Sequence, residues 1–375
     1  MKFVLTAIDA KYIHTGLAVY SLKSYAGKEL QGHIELAEYT INQRMEQILA
    51  DLYRRKPDVI GFSCYIWNFS LVKRLIREFS KLLPDVPVWL GGPEVSYEYQ
   101  NIFEDIPEVT GVMVGEGEET FRELLMAYVE AERKAEDTEE ERAVRAVRNA
   151  EEGAAENSGE VEDKKGAAKA GEAAGRQKNL RVLSLKIPGT ATREGFFGAR
   201  NALDMDSLPF YYEELGEDER EQGRHKIIYY ESGRGCPFRC SYCLSSIEKQ
   251  VRLRDAALVE KELLYFLDRK VKQVKFIDRT FNCDREHALS IWRFLSENDN
   301  GVTNFHFEIA AELLTREELE VFSKMRRGLI QLEIGVQTTN RETLRAIHRP
   351  GDLEKCKRTV RAISETGNIH QHLDL

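Results

Sequence analysis

The sequence predicts an α/β protein built from two βα repeats: an N-terminal doubly wound parallel sheet of Rossmann-like type, then a barrel-like domain. Three observations carry this. Short apolar runs alternate with amphipathic stretches through residues 1–130. A charged tract over 131–178 interrupts the pattern. The alternation then resumes at residue 226, with three cysteines directly after its first strand.

The elements follow in order. "KFVLTAI" is a strand, and "TGLAVYSLKSYAGKE" spaces Leu17, Tyr20, Leu22 and Tyr25 as a helix does. "HIELAEYTI" is a strand, and "RMEQILADLYRR" is a helix that stops before Pro57. "DVIGFSCY" and "PVWLGGPE" are buried strands with helical "SLVKRLIREFSKLL" between them. "VTGVMVGEGEETFRELLMAYV" reads as strand, glycine turn and helix. The turns "GFSCY", "LGGPE" and "VGEGEE" fall at strand carboxyl ends, the edge where such sheets bind ligands.

Residues 131–178 are nearly all Ala, Glu, Lys, Arg and Gly. The first half extends the preceding helix. Beyond Gly153 there is too little apolar surface to offset ordering entropy, so an exposed, partly disordered insertion is expected. Residues 179–225 are expected to connect to the next domain: "LRVLSLKI" restores order and "LDMDSLPF" crosses over. From 226 to 375 the strands are "KIIYYES", "VKQVKFID", "NFHFEIAA", "LIQLEIGV" and "IHQHLDL", with helices such as "DAALVEKELLYFLDRK" between them. A parallel strand with no covering helix after it predicts a truncated barrel.

Composition narrows the function. A formal charge of −9 and a pI near 5.6 give no global attraction to nucleic acid, so none is expected as a partner. No apolar run approaches the roughly 18 residues that span a bilayer, so no membrane is expected. The N-terminus lacks the long apolar core of a signal peptide, and the expected location is the cytoplasm, where thiols stay reduced. Clustered cysteines there point to ligands or catalysts.

Half of the six cysteines lie in "SGRGCPFRCSYC", where Cys236, Cys240 and Cys243 are spaced C-x3-C-x2-C. Structural zinc wants four ligands, usually from paired C-x2-C units, and no nearby Cys or His completes a second pair. Three thiolates on one short loop suit an iron–sulfur cluster with one iron left open. Gly233 and Gly235 give backbone freedom beside it, and Pro237 stiffens the turn.

"GCPFRCSYC" resembles the signature of the radical S-adenosylmethionine (SAM) superfamily, and Tyr242 matches the aromatic that precedes the third cysteine. The resemblance implies a (β/α) barrel whose [4Fe–4S] cluster binds SAM through the open iron. An electron from a donor such as ferredoxin or flavodoxin then cleaves SAM to a 5′-deoxyadenosyl radical. A Gly-Gly-Glu-like turn after strand two is replaced by "FIDRTFN", which implies Asp278 or Arg279 at the SAM amino group. Glu308 of "FEIAAELLT", and Glu333 and Gln337 on one side of strand four in "QLEIGVQTTN", are implied SAM or substrate contacts. Arg349 in "IHRPG" is expected to be a surface or capping cation. Cys64, Cys283 and Cys356 are expected to be ordinary thiols.

In the N-terminal half, no G-x-G-x-x-G follows the first strand, which argues against a dinucleotide site. "LGGPEVS" and "VMVGEGEETFRELL" resemble the cobalamin-binding domain of cobalamin-dependent radical SAM proteins. That resemblance implies contacts to cobalamin or its nucleotide tail from Ser63, Gly91, Gly92, Gly115, Glu116 and Gly117. Asp9, His14 and Gly16 miss the Asp-x-His-x-x-Gly spacing, so cobalamin without a histidine lower ligand is expected, its lower face open or occupied by another side chain such as Tyr12 or Tyr65. The implied reaction is methyl transfer to an unactivated carbon or phosphorus of an unknown substrate. A radical SAM tRNA-modifying enzyme and a cobalamin- or redox-sensing module without catalysis are the alternatives.

Overall fold

The protein is described by a computed structural model covering residues 1–153, 186–216, 226–248, 250–349 and 351–375. The expected disorder beyond Gly153 and most of "LRVLSLKI" lie outside these residues. The chain forms two compact units: Met1–Tyr12 with Gly16–Ala202, and Ile13–Thr15 with Leu203–Leu375.

The first unit contains β1 (Phe3–Asp9), β2 (Ile34–Thr40), β3 (Val59–Ser63), β4 (Val88–Gly91), β5 (Gly111–Met113), β6 (Thr190–Thr192) and β7 (Gly195–Phe196). Its helices are α1 (Leu17–Tyr25), α2 (Lys28–Gln31), α3 (Met45–Arg55), α4 (Phe69–Leu82), α5 (Pro93–Ser96), α6 (Tyr99–Asp105) and α7 (Glu118–Gly153). The sheet order is β2-β1-β3-β4-β5-β6-β7. β1 to β5 are parallel, and the order reverses between β1 and β3, which makes the sheet doubly wound.

Both faces of this sheet are apolar because both are covered. Val4 and Ile8 of β1 join one core, where α4 contributes Leu71, Val72, Leu75, Ile76 and Phe79 at helical spacing. Phe3, Leu5 and Ala7 join the other, against Phe121, Leu124, Leu125 and Tyr128 of α7. Trp89 reaches into that second core and donates Nε1–H to Tyr128 Oη at 2.8 Å, so its one polar atom is satisfied. The sequence did not show the β6–β7 hairpin, which pairs antiparallel with β5. Strands of two and three residues are too short to show a periodicity.

The second unit contains β8 (Ile228–Tyr230), β9 (Gly233–Arg234), β10 (Arg252–Leu253), β11 (Gln273–Phe276), β12 (Asn304–Ile309), β13 (Ile330–Gly335) and β14 (His370–Asp374). Its helices are α8 (Ala256–Asp268), α9 (Arg285–Glu297), α10 (Arg316–Lys324), α11 (Arg341–Ala346) and α12 (Leu353–Thr366). The parallel sheet runs β14-β13-β12-β11-β8, so each strand lies beside its predecessor, as in the wall of a barrel. Side chains cap the helices: Asp255, Asp284, Asn340 and Asp352 accept from first-turn N–H groups. Glu318 takes the Thr315 N–H at 2.6 Å at the start of α10. Each such cap contributes about 1 kcal/mol.

Here the strands alternate. Val274, Phe276, Phe305, Phe307, Ile309, Ile330, Leu332 and Ile334 are buried, with Phe307 and Trp292 of α9 in ring contact. Lys275, Glu308 and Glu333 are half-buried on the opposite face. No described helix is long and apolar enough to cross a membrane.

Candidate functional site

The cysteine loop begins where β8 ends. Ser232 is fully buried, and its N and Oγ donate to Asp278 Oδ1 and Oδ2 at 3.0 and 2.8 Å. His287 Nε2 lies 3.1 Å from the same hydroxyl. Because Ser232 Oγ gives its proton to Asp278, its lone pair is left for a neutral His287 N–H, and burial does hold His287 below its ordinary pKa. Burial pushes the Asp278 carboxyl up to about 7, although the Ser232 hydrogen bonds pull it down.

β9 then pairs antiparallel with β10, and Cys236 N donates to Glu248 O at 3.2 Å. This short ribbon closes the loop that carries the three cysteines. Gly235 has φ +93°, and a Cβ there would lie 2.2 Å from Gln250 O, so only glycine fits. Cys236 and Cys240 are buried, and Cys243 is half-buried.

All three cysteines line one cavity of about 190 Å³. Tyr242, Glu308, Glu333 and Gln337 line it too, as do Arg279, Thr280, Asp374 and Arg349. Of Asp278 and Arg279, the two alternatives expected at the SAM amino group, Asp278 is not among the lining residues, its carboxylate holding Ser232 instead, while Arg279 lines the cavity. Gln337 lies beyond the end of β13, not on it as expected. It has φ +67°, its N donates to Asp374 O at 2.8 Å, and it still lines the cavity with Glu333.

The cavity wall is charged. Lys275 Nζ lies 2.9 Å from Glu333 Oε2 and 3.4 Å from Glu308 Oε1. Burial raises Glu308, with Lys275 opposing it. Burial is the largest single influence on Glu333 and acts to raise it, but the Lys275 hydrogen bond and charge, with His306 and His372, together outweigh it and hold this carboxyl below its ordinary range. His306 Nε2 sits 3.0 Å from Glu333 Oε2 without hydrogen-bond alignment, and burial, then Lys275, keep His306 below its usual pKa. Two carboxylates in different protonation environments thus face the cysteines across one cavity.

Arg349 was expected to be a surface or capping cation. The structure turns it inward: Nη1 donates to Cys240 Sγ at 3.9 Å, Nη2 donates to Gly335 O, and Ser241 N donates to Ile347 O at 2.9 Å. No local spacing could have shown this, because 109 residues separate Arg349 from Cys240. Cys283 is half-buried, and burial pushes its thiol up to about 11, as an ordinary thiol. Cys64 and Cys356 are buried.

The donor set fits an iron–sulfur cluster. Among the described residues, no three His, Cys, Asp or Glu side chains converge on a single metal ion. A cluster instead gives each thiolate its own iron at a separate corner, and the three cysteines meet that need on one cavity wall.

In the first unit the expected cobalamin contacts fall at the carboxyl ends of β3, β4 and β5. Ser63 donates Oγ–H to Thr6 O at 3.4 Å. Gly92 has φ +109°, and a Cβ there would lie 2.5 Å from Cys64 O, so the "GG" turn packs backbone on backbone. Gly91 lies against Met113, and Gly117 against Leu22 at the start of α7. Gly115 has φ +81° and borders open space, and the adjacent Glu116 is half-buried.

Asn68 is 1% exposed and pins the turn after β3: Oδ1 accepts from Tyr65 N at 2.9 Å, and Nδ2 donates to Ile8 O and Ser63 O at 3.0 Å. The turn stacks Tyr65 on Trp67 at 4.4 Å and 8°, with Ile66 and Tyr12 exposed. A planar ring with exposed apolar neighbours and glycine-lined turns suits a corrin. His14 Nδ1 is hydrogen-bonded to Tyr229 Oη within the second unit.

Comparison with known proteins agrees with both halves. Residues 4–125 match the B12 binding domain, and residues 230–372 match the radical SAM superfamily. The 2-(S-pantetheinyl)-carbapenam-3-carboxylate methyltransferase of Streptantibioticus cattleyicolor is 25% identical over 85% of this chain and 42% of its own length. The cobalamin-dependent radical SAM methyltransferase TokK of Streptomyces tokunonensis is 43% identical over 70 residues, 19% of this chain and 10% of its own. This chain therefore spans less than half the length of these curated relatives.

Among solved structures, the cobalamin-dependent SAM radical enzyme OxsB, with aqua-cobalamin and SAM bound, superimposes with TM-score 0.68 at 16% identity. That match covers 99% of this chain and 48% of OxsB. The radical SAM methyltransferase TsrM from Kitasatospora setae gives 0.66 at 17% identity, covering 100% of this chain and 67% of TsrM. At these identities the likeness is one of fold.

Proposed function

We propose that this chain, which belongs to the radical SAM superfamily and carries a B12-binding domain ahead of its radical SAM domain, holds the cofactors of a cobalamin-dependent methyltransferase. The observation that carries the reading is the single cavity onto which Cys236, Cys240, Cys243, Glu308, Glu333 and Gln337 open. When bound, a [4Fe–4S] cluster and SAM supply one-electron cleavage to a 5′-deoxyadenosyl radical, and cobalamin supplies the methyl-carrying chemistry.

The chain's own residues then divide the work. The three thiolates hold the cluster, and Ser232, fixed by Asp278, sets where their loop leaves β8. Glu308 and Glu333 offer acceptors to an ammonium or to ribose hydroxyls, and Tyr242 and Gln337 border the same space. In the B12-binding domain, Gly91, Gly92, Gly115, Glu116 and Gly117 with Ser63 form the cobalamin edge, and the Tyr65–Trp67 stack meets the lower face in place of a histidine.

The acceptor is an unactivated carbon or phosphorus, and the electron comes from a ferredoxin- or flavodoxin-type donor. A reducing compartment, the cytoplasm, suits the three free thiols. A tRNA-methylthiolating reading would require three N-terminal cysteines, and the first 202 residues contain Cys64 alone.

The test is iron and cobalt content per chain after anaerobic reconstitution with iron, sulfide and hydroxocobalamin. Both metals are expected, with iron lost in Cys240→Ala. Iron without cobalt would remove cobalamin from the reading. Turnover should release S-adenosylhomocysteine together with 5′-deoxyadenosine; deoxyadenosine alone would exclude methyl transfer.

A further inference from the structure

We propose that Arg349 is the positioning cation that raises the reduction potential of the cluster on Cys236, Cys240 and Cys243, by donating to Cys240 Sγ; this rests on the cluster reading above. Four observations place the guanidinium at that sulfur. Nη1 lies 3.9 Å from Cys240 Sγ. Nη2 donates to the Gly335 carbonyl, which holds the planar group at both ends. Gly335 leaves the space: a Cβ there would lie 3.3 Å from Nη2. The backbone is fixed as well, since Ser241 N donates to Ile347 O at 2.9 Å and His348 takes a left-handed φ of 53° just before the arginine.

The physical consequence concerns charge. Reduction adds one electron, supplied from outside by the reductant, to a cluster that three thiolates already make anionic. A fixed guanidinium at one sulfur stabilises the more negative, reduced state more than the oxidised one. Hydrogen bonds to cluster sulfurs and net local charge are established determinants of potential.

The other cations nearby do not take this role. Lys275 is committed to Glu308 and Glu333. Arg279 lines the same cavity, but the charge it is set against is that of Glu308. Among the described residues, Arg349 is the cavity-lining cation that donates to one of the three cysteine sulfurs.

The experiment compares wild type, Arg349→Gln, Arg349→Lys and Arg279→Gln after anaerobic reconstitution. Iron per chain is measured first, then the midpoint potential by electron paramagnetic resonance during a dithionite titration. Expected are wild-type iron in all four, a lower midpoint potential in Arg349→Gln, recovery of most of that shift in Arg349→Lys, and a smaller shift in Arg279→Gln. An unchanged potential in Arg349→Gln would overturn the proposal. So would equal shifts from both glutamine variants, or loss of iron from both Arg349 variants, which would make the arginine a scaffold for the loop. A wild-type chain that binds no iron would instead refute the cluster reading, a separate result.

Discussion

β1 of the B12-binding domain and β13 of the radical SAM domain are both inner strands of parallel sheets, yet they are built oppositely. β1 reads FVLTAID and is buried at six consecutive positions. β13 reads IQLEIG and alternates buried with half-buried residues. The first sheet is covered on both faces, so Thr6 is the one polar side chain among the six buried positions of β1, and the chemistry is pushed to the strand ends. There glycine turns and the Tyr65–Trp67 stack do the presenting. The second sheet is covered by helices on one face only. Its other face carries Lys275, Glu308 and Glu333 directly from the strands. On the proposed function one sheet binds with its rim and the other with its wall, and the second arrangement requires buried charge to be balanced by partners.

The largest expected effect tests that balance in the radical SAM domain. Asp278 titrates at about 7 when folded, against 3.8 ordinarily. Below 7 the folded chain holds a proton that the unfolded chain lacks, so stability rises as pH falls from about 7 toward 4. The ionised group costs on the order of 4 kcal/mol by linkage. Asp278→Asn should therefore be more stable than wild type at pH 8, with the advantage shrinking toward pH 5. Denaturant unfolding of the cluster-free chain at both pH values measures this. Equal pH slopes in the two proteins would show that the carboxyl is not carrying buried charge.

The rim of the other domain gives the next effect. Gly92→Ala forces a Cβ against Cys64 O and a positive φ on a side-chain residue, a strain of about 1–3 kcal/mol. Hydrogen exchange should show the loss in β3 and β4 and leave β11 to β14 unchanged. Protection lost in both domains would mean that they do not unfold separately.

The smallest effect on stability is expected at the stack. Trp67 is 47% exposed, so Trp67→Ala should change stability by less than about 0.5 kcal/mol. It should nevertheless weaken hydroxocobalamin binding several-fold by absorbance titration. Unaltered binding would move the lower face away from this pair.

Much of this was legible because it is local. The C-x3-C-x2-C spacing, the alternation in "QLEIGV" and the double glycine at 91–92 are each written within a few residues. What could not be read was contact across the chain. Asp278 was expected at a ligand but is held by Ser232, 46 residues earlier. Lys275 carries no sign in sequence that two carboxylates from later strands flank it. The β6–β7 hairpin was too short to announce itself.

By itself, then, the sequence determined the two βα rhythms, the cysteine loop and the kind of chemistry that loop admits, because periodicity and ligand spacing are properties of neighbours along the chain. Only the tertiary structure decided that Arg349 faces Cys240, that Asp278 is committed to Ser232, and that Lys275, Glu308 and Glu333 of β11 to β13 meet in one charged cluster. Those outcomes depend on strand order and register, which bring distant residues within hydrogen-bond range and leave no trace in local composition.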